Sequence, residues 1–143
     1  MRVTFWGTAN ARGVPVYGCE CPVCVRARRD PRMVRRCSCV EVRSGRERYV
    51  IDAGREDLSR LVEKQPPEAI LLSHFDEDHI RGLPGFGWSR STQTVVFGPD
   101  DPDREPLVGE GKRIDFRPTR AFEAFELSEV TVKCLPLRHG RTP

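Results

Sequence analysis

The chain has 143 residues, of which 38% are hydrophobic and 31% are charged, the composition of an ordinary soluble protein that forms one domain. No segment approaches the roughly 20 apolar residues that a membrane span needs, and the N-terminus lacks the charged-then-apolar pattern of a secretion signal. We therefore expect a cytoplasmic protein with no membrane association.

The net charge of +3 is unevenly distributed, because residues 1–48 hold eleven arginines against four acidic residues. This basic half could attract an anionic substrate, or its arginines could form a solvated loop or helix face. No aromatic residues are interleaved with them to stack on bases, which disfavours nucleic-acid binding. Phosphate-bearing small molecules stay open as ligands, as does a homodimer.

The first half of the chain predicts three strands and a helix. Residues 2–7 read as a strand that ends at a glycine, and residues 39–43 and 48–52 alternate as a hairpin with its turn near Gly45. Apolar residues at helical spacing predict a helix over residues 56–64, which Pro66 and Pro67 end.

The second half predicts shorter elements. Residues 69–72 read as a buried strand, and residues 80–88 begin a short helix too rich in glycine and proline to run far. Further strands are predicted at residues 94–97, 114–116, 121–125 and 130–137. The acidic connection at residues 100–106 is expected to be solvated rather than functional.

The predicted strand at residues 69–72 is followed directly by a cluster of ligand-type side chains, His74, Asp76, Asp78 and His79. Strand ends lie at the sheet rim, where ligands gather in α/β folds. Neutral nitrogen and anionic oxygen together suit borderline and hard divalent ions. The third histidine of the chain, His139, also follows a strand-like run. The alternative is a solvated acidic turn with two surface histidines beside it.

A second cluster, Cys19, Cys21 and Cys24, brings three thiols within six residues. Without a secretion signal a disulfide framework is not expected, so we interpret it as a structural zinc site with three thiolates and a fourth ligand from elsewhere. The zinc-binding loop would span about residues 13–40. Free thiols are the alternative. Cys37 and Cys39 either complete this site or are buried as small apolar residues.

The order of these elements, with Ile-Asp-Ala-Gly at residues 51–54 and Ser-His-x-Asp-x-Asp-His at residues 73–79, resembles the metallo-beta-lactamase superfamily. Within it, the cysteine cluster and residues 13–15, 35–36 and 51–58 resemble the PhnP-type cyclic-phosphate phosphodiesterases. The resemblance implies an α/β fold, a four-layer αββα sandwich of two similar halves. Residues 1–143 are expected to form a single incomplete domain, the N-terminal half plus the start of the second half.

The resemblance also implies the site. His74, Asp76 and His139 would bind a first divalent ion, Asp78 and His79 a second, and the three cysteines a structural Zn²⁺. The reaction implied is hydrolysis of small phosphodiesters, such as the cyclic ribose phosphates of phosphonate catabolism. A hydroxide held between the two ions would attack the phosphorus, because the ions lower the pKa of water and neutralise phosphoryl charge.

Two departures from the family pattern qualify this expectation. The family has histidine where this chain has Asp76, and the harder oxygen favours Mn²⁺ or Fe²⁺ over Zn²⁺. The bridging aspartate and terminal histidines of the family have no counterpart here, so hydrolysis by this chain should be weak or absent. The alternatives are a non-catalytic zinc-binding or vestigial domain, and another hydrolase of this fold, ribonuclease Z-like or acting on thiolesters.

Overall fold

The protein is described by a computed structural model that covers residues 1–104 and 113–137. Its centre is a six-stranded sheet in the order β1-β2-β3-β4-β5-β6. The first three strands pair antiparallel and the last three add in parallel. The strands are β1 (Arg2–Gly7), β2 (Cys39–Ser44), β3 (Glu47–Ile51), β4 (Ala69–Leu71), β5 (Thr94–Pro99) and β6 (Ile114–Thr119).

Four short helices and a second small sheet complete the described chain. The helices are α1 (Pro22–Arg29), α2 (Leu58–Val62), α3 (Glu77–Ile80) and α4 (Pro84–Gly87), with a 3-10 turn at Pro31–Met33. The second sheet is an antiparallel pair of β7 (Ala124–Leu127) and β8 (Val130–Lys133). Among the described residues, no helix is both long and apolar enough to cross a membrane.

The hydrophobic core lies between one face of the large sheet and the helices α2 and α4. Alternate strand residues point to this face because side chains in a strand alternate with a period of two. Val50, Ile70 and Val96 are fully buried there. They form one cluster with Leu58 of α2 and with Phe86 of α4, so the core fixes the helices to the sheet.

The opposite face of the sheet carries the β7–β8 hairpin. Phe125 stacks on Phe97 of β5 with ring centroids 4.5 Å apart, and the hydroxyl of Tyr49 donates to the Leu127 carbonyl at 3.0 Å. The described layers are thus helices, a large sheet and the start of a second sheet. This confirms the α/β metallo-beta-lactamase-like architecture over part of the sandwich.

The structure confirms the predicted hairpin and strands but corrects several bounds. The helix predicted at residues 56–64 is shorter, because Arg55 and Asp57 form a turn in which the Leu58 N–H donates to the Arg55 carbonyl at 3.1 Å. The strand predicted at residues 121–125 lies at Ala124–Leu127, and the last strand ends at Lys133. Helix α1 has Pro22 at its first position and gives helical structure to part of the arginine-rich segment.

Candidate metal centre

The predicted ligands His74, Asp76, Asp78 and His79 lie together where β4 ends and α3 begins. Asp76 is the residue that precedes α3, and this helix carries both Asp78 and His79. The rings of His74 and His79 lie beside each other, with centroids 4.0 Å apart and planes tilted by 47°. The sequence interpretation of one polar cluster at a strand end therefore matches the positions of these four residues.

The four side chains form two nitrogen–oxygen pairs. His74 Nε2 lies 3.5 Å from Asp76 Oδ2, and His79 Nε2 lies 3.6 Å from Asp78 Oδ2. Two ligands bound at about 2.1 Å to one tetrahedral ion are about 3.4 Å apart. Each pair therefore has the separation of two ligands on a common ion, and the donor set fits divalent cations. His139, the expected third ligand of the first ion, lies outside the described residues.

Asp52, the residue after β3, contacts both His79 and Ser73. Its carboxylate is buried, and Oδ2 lies 2.8 Å from Nδ1 of His79. Oδ1 accepts hydrogen bonds from the backbone N–H and the hydroxyl of Ser73, at 2.9 and 2.8 Å. A carboxylate on Nδ1 keeps the proton there and leaves Nε2 free to bind a cation, as second-layer carboxylates do at metal-bound histidines. Sequence reasoning placed Asp52 only in a turn and missed this role.

The turn after Asp52 fits closely against the ligand-bearing helix. A side chain at Gly54 would place its Cβ 2.0 Å from the Asp78 carbonyl oxygen, so only glycine allows this approach. The N–H of Ala53 donates to the His79 carbonyl at 2.7 Å. Asp52 has a φ of 59°, a left-handed conformation that aspartate and asparagine tolerate better than most residues. The Ile-Asp-Ala-Gly segment thus positions both α3 and the carboxylate behind it.

Arg104 approaches the cluster from the acidic connection after β5. Its guanidinium lies 3.3 Å from Asp76 Oδ1, and both side chains are about half exposed. Residues 100–106 were expected to be solvated rather than functional, and Arg104 is half exposed but does contact a predicted ligand. If Asp76 is a ligand, the Arg104 guanidinium would compete with the metal ion for this carboxylate.

The cluster opens into a cleft of about 650 Å³. Its polar lining residues are Ser73, His74, His79 and Thr119. The rest of the lining is largely apolar and comes from Leu72, Pro99, Ala121, Cys134, Leu135, Pro136 and Leu137. A largely apolar lining with a few polar groups is typical of small-molecule sites.

The cysteine cluster is assembled as predicted. The Sγ atoms of Cys19, Cys21 and Cys24 all lie within 4.8 Å of one another. Among the residues that the structure describes, this is the group of three ligand-type side chains whose ligand atoms are close enough together to hold one ion. The N–H of Val16 donates to Cys24 Sγ at 3.4 Å. A hydrogen bond from the backbone N–H of Cys24, helped by the thiols of Cys19 and Cys24, lowers the pKa of Cys21 to about 7. Thiolate character at neutral pH favours zinc.

Cys37 and Cys39 do not belong to this cluster. Cys37 is buried and donates to the Asn10 carbonyl at 3.4 Å. Cys39 is fully buried in the core, and this burial raises the pKa of its thiol to about 12. Of the two interpretations of these residues, burial as small apolar side chains is therefore confirmed.

The family of the chain follows from its match to the model of the metallo-beta-lactamase superfamily, which covers residues 32–141. The chain belongs to this superfamily. The matched range includes the metal-ligand motif and Asp52.

Curated relatives share part of the sequence, and solved structures share the fold. "Coenzyme PQQ synthesis protein B" of Methylobacterium radiotolerans is 31% identical over 97 residues, which cover 58% of this chain and 32% of that protein. The zinc-bound PqqB of Methylobacterium extorquens superimposes with a TM-score of 0.76 at 21% identity, over 96% of this chain and 56% of that chain. A diphosphatase of the PhnP family also gives 0.76, at 22% identity, over 98% and 58%.

The chain therefore spans about a third of the curated relatives that it matches and just over half of these solved structures.

Proposed function

We propose that residues 1–143 form one metallo-beta-lactamase-fold domain built for metal-dependent hydrolysis of small phosphodiesters. The observation that carries this proposal is the pair of nitrogen–oxygen sets, His74 with Asp76 and His79 with Asp78, each about 3.5 Å apart and joined by adjacent imidazole rings. Two such sets side by side suit two divalent ions, the arrangement that phosphodiester hydrolysis commonly uses.

In this proposal the protein residues hold and orient the ions. His74 and Asp76 bind the first ion together with His139, and Asp78 and His79 bind the second. When bound, two divalent ions lower the pKa of water and neutralise charge on the phosphoryl oxygens. Asp52 keeps the proton of His79 on Nδ1 through its 2.8 Å contact, so that Nε2 stays available as a ligand.

The metal and substrate assignments follow from donor chemistry. The carboxylate of Asp76 is a harder ligand than imidazole, so Mn²⁺ is preferred, with Zn²⁺ or Fe²⁺ as other candidates. The cysteine cluster is proposed as a separate, structural Zn²⁺ site. The proposed substrates are cyclic ribose phosphates or similar small phosphodiesters, with a cytoplasmic role in phosphonate metabolism, as the sequence motifs imply. The likeness to a diphosphatase of the PhnP family supports this only through the shared fold.

A non-catalytic zinc-binding domain is the second candidate. It is favoured by the ion pair between Arg104 and Asp76, which neutralises a ligand of the first ion, and by the second ion having two protein ligands among the described residues. Such a domain would hold zinc at the cysteines without turning over phosphodiesters.

Hydrolysis of a cyclic ribose phosphate by the purified chain, with Mn²⁺, Zn²⁺ or Fe²⁺ added, separates the two candidates. The proposal expects Mn²⁺ to bind at the histidine cluster and turnover to be weak or absent in this chain, and Asp78→Ala should weaken Mn²⁺ binding and abolish any turnover. Glu77→Ala is a matched control, since this neighbouring carboxylate of α3 is exposed and binds Arg81 at 2.9 Å. A chain that holds zinc at the cysteines but neither binds Mn²⁺ at the histidine cluster nor shows turnover with any metal would favour the non-catalytic domain.

A further inference from the structure

A second cavity, distinct from the cleft over His74 and His79, has a volume of about 230 Å³. Its walls come from the loop after β1, the segment before β2, the turn after β3 and the residue that follows α3. Five arginines and a single carboxylate line it, namely Arg12, Arg35, Arg36, Arg55, Arg81 and Glu56. We call this group the arginine cavity.

Two of the five guanidiniums already have carboxylate partners. Arg55 holds Asp57 through two hydrogen bonds of 2.8 and 2.7 Å, and Arg81 binds Glu77 at 2.9 Å. For Arg12, Arg35 and Arg36, no carboxylate of residues 1–104 or 113–137 lies within 4.0 Å. The cavity therefore has a net positive charge that the described part of the protein does not balance.

Arg81 supplies a second observation. Its Nε is buried and donates to no acceptor in the described residues. A buried donor without an acceptor costs free energy unless a ligand or water satisfies it. The charge of the cavity favours an anionic ligand, and Arg81, one of its lining residues, has a donor that such a ligand could satisfy.

The backbone that carries these arginines is held in place. Val14 and Arg35 exchange two backbone hydrogen bonds, each of 2.9 Å. The carbonyl of Arg36 accepts from the N–H groups of Thr8 and Ala9 at 2.9 and 2.8 Å. Fixed attachment points reduce the entropy lost when an anion gathers the guanidiniums around it.

We propose that the arginine cavity binds the phosphate group of a small molecule, either inorganic phosphate or a phosphomonoester. Guanidinium groups donate two parallel hydrogen bonds to phosphate oxygens, and several arginines together match its double charge. The volume lies below the about 300–1,000 Å³ of drug-sized ligand pockets, which favours a small anion. The lining contains no aromatic side chain for base stacking, so a nucleic-acid strand fits less well.

This site does not depend on the proposed phosphodiester chemistry, and the arginine variants described below leave the residues of the metal centre unchanged. The zinc-loaded chain, without added Mn²⁺, is titrated with inorganic phosphate and separately with ribose 5-phosphate by calorimetry at constant ionic strength. Saturable binding of one phosphate group per chain is expected. Tighter binding of phosphate indicates a free-anion site, and tighter binding of ribose 5-phosphate indicates a phosphomonoester site.

The variant Arg12→Gln/Arg36→Gln removes two of the guanidiniums that have no carboxylate partner. Loss of a charge-assisted hydrogen bond costs about 1.5–3 kcal/mol, so affinity should fall at least ~10-fold. The matched control Arg26→Gln/Arg29→Gln removes the same charge from exposed positions of α1 and should stay within ~2-fold. Arg36→Lys keeps the charge but loses the fork geometry and should fall in between.

Three results would overturn the proposal. The first is an absence of saturable binding of either probe to the folded chain, and the second is an equal loss in the cavity and control variants. The third is displacement of phosphate by a single-stranded oligonucleotide that binds more tightly than both probes. Circular dichroism of each variant shows that it is folded, since all four substituted arginines are exposed.

Discussion

Replacing Asp52 by asparagine should weaken metal binding at the histidine cluster without unfolding the protein. Oδ1 of Asp52 accepts from Ser73, and Oδ2 accepts from Ser38 at 3.1 Å and contacts His79 Nδ1 at 2.8 Å. The side-chain carbonyl of asparagine can still accept the hydrogen bonds from Ser73. Its amide group, however, presents a donor where Ser38 and His79 both need an acceptor.

The expected effect on His79 is a change of tautomer. An amide N–H facing Nδ1 favours the form with its proton on Nε2, and a protonated Nε2 cannot bind a cation. Loss of such a supporting partner typically costs 10–100-fold in metal affinity, which is about 1.4–2.7 kcal/mol. The cost in unfolding free energy should be about 1–2 kcal/mol, because a charge-assisted contact becomes neutral at best. Asparagine also tolerates the left-handed backbone at this position.

The assay is competition between the chain and a chelator for Mn²⁺, with the free ion measured by electron paramagnetic resonance. Asp57→Asn is the control, because Asp57 lies in the same turn but binds Arg55 and not a histidine. Thermal unfolding of both variants separates lost affinity from lost fold. An Asp52→Asn protein that binds Mn²⁺ as tightly as the parent would refute the orienting role of this carboxylate.

Three further substitutions test the remaining assignments. Cys21→Ser should release zinc and loosen residues 13–40, as measured by metal content and hydrogen exchange; a zinc-free parent chain with three rapidly alkylated thiols would contradict the zinc site. Asp76→His should raise affinity for Zn²⁺ relative to Mn²⁺, whereas an unchanged ratio would mean that residue 76 is not a ligand. Arg104→Gln should tighten Mn²⁺ binding by ~2–5-fold, since it removes a half-exposed competing cation from Asp76. Arg120→Gln, which removes a similar pair with Asp100, should leave Mn²⁺ affinity unchanged.

The sequence predicts the position of the ligands because they are local. His74 to His79 directly follow a buried strand, and a strand end places whatever follows it at the sheet rim. The β2–β3 hairpin could also be predicted from the sequence, because the alternation of apolar and polar residues along both strands determines which face is buried. Both features depend on neighbours in the chain.

The supporting contacts were not predictable in the same way. Asp52 precedes Ser73 by 21 residues, and Arg104 lies 28 residues after Asp76, so only the parallel pairing of β3, β4 and β5 brings them to one rim. Helix α1 gave a weak signal, because its buried positions are Cys24 and Ala27 and its exposed positions are mostly arginine. A helix without a run of large apolar residues has little periodicity to detect.

A series of hydrogen bonds connects the cysteine cluster with the histidine cluster. Val16 contacts the cluster through its N–H bond to Cys24 Sγ, and the neighbouring Val14 pairs with Arg35. Three residues beyond Arg35, Ser38 donates to the Asp52 carboxylate, which in turn contacts His79. A zinc ion at the cysteines would therefore stabilise the loop that holds Ser38 in place. A structural zinc would in this way favour the orientation of His79 seen here, although the two sites have no ligand in common.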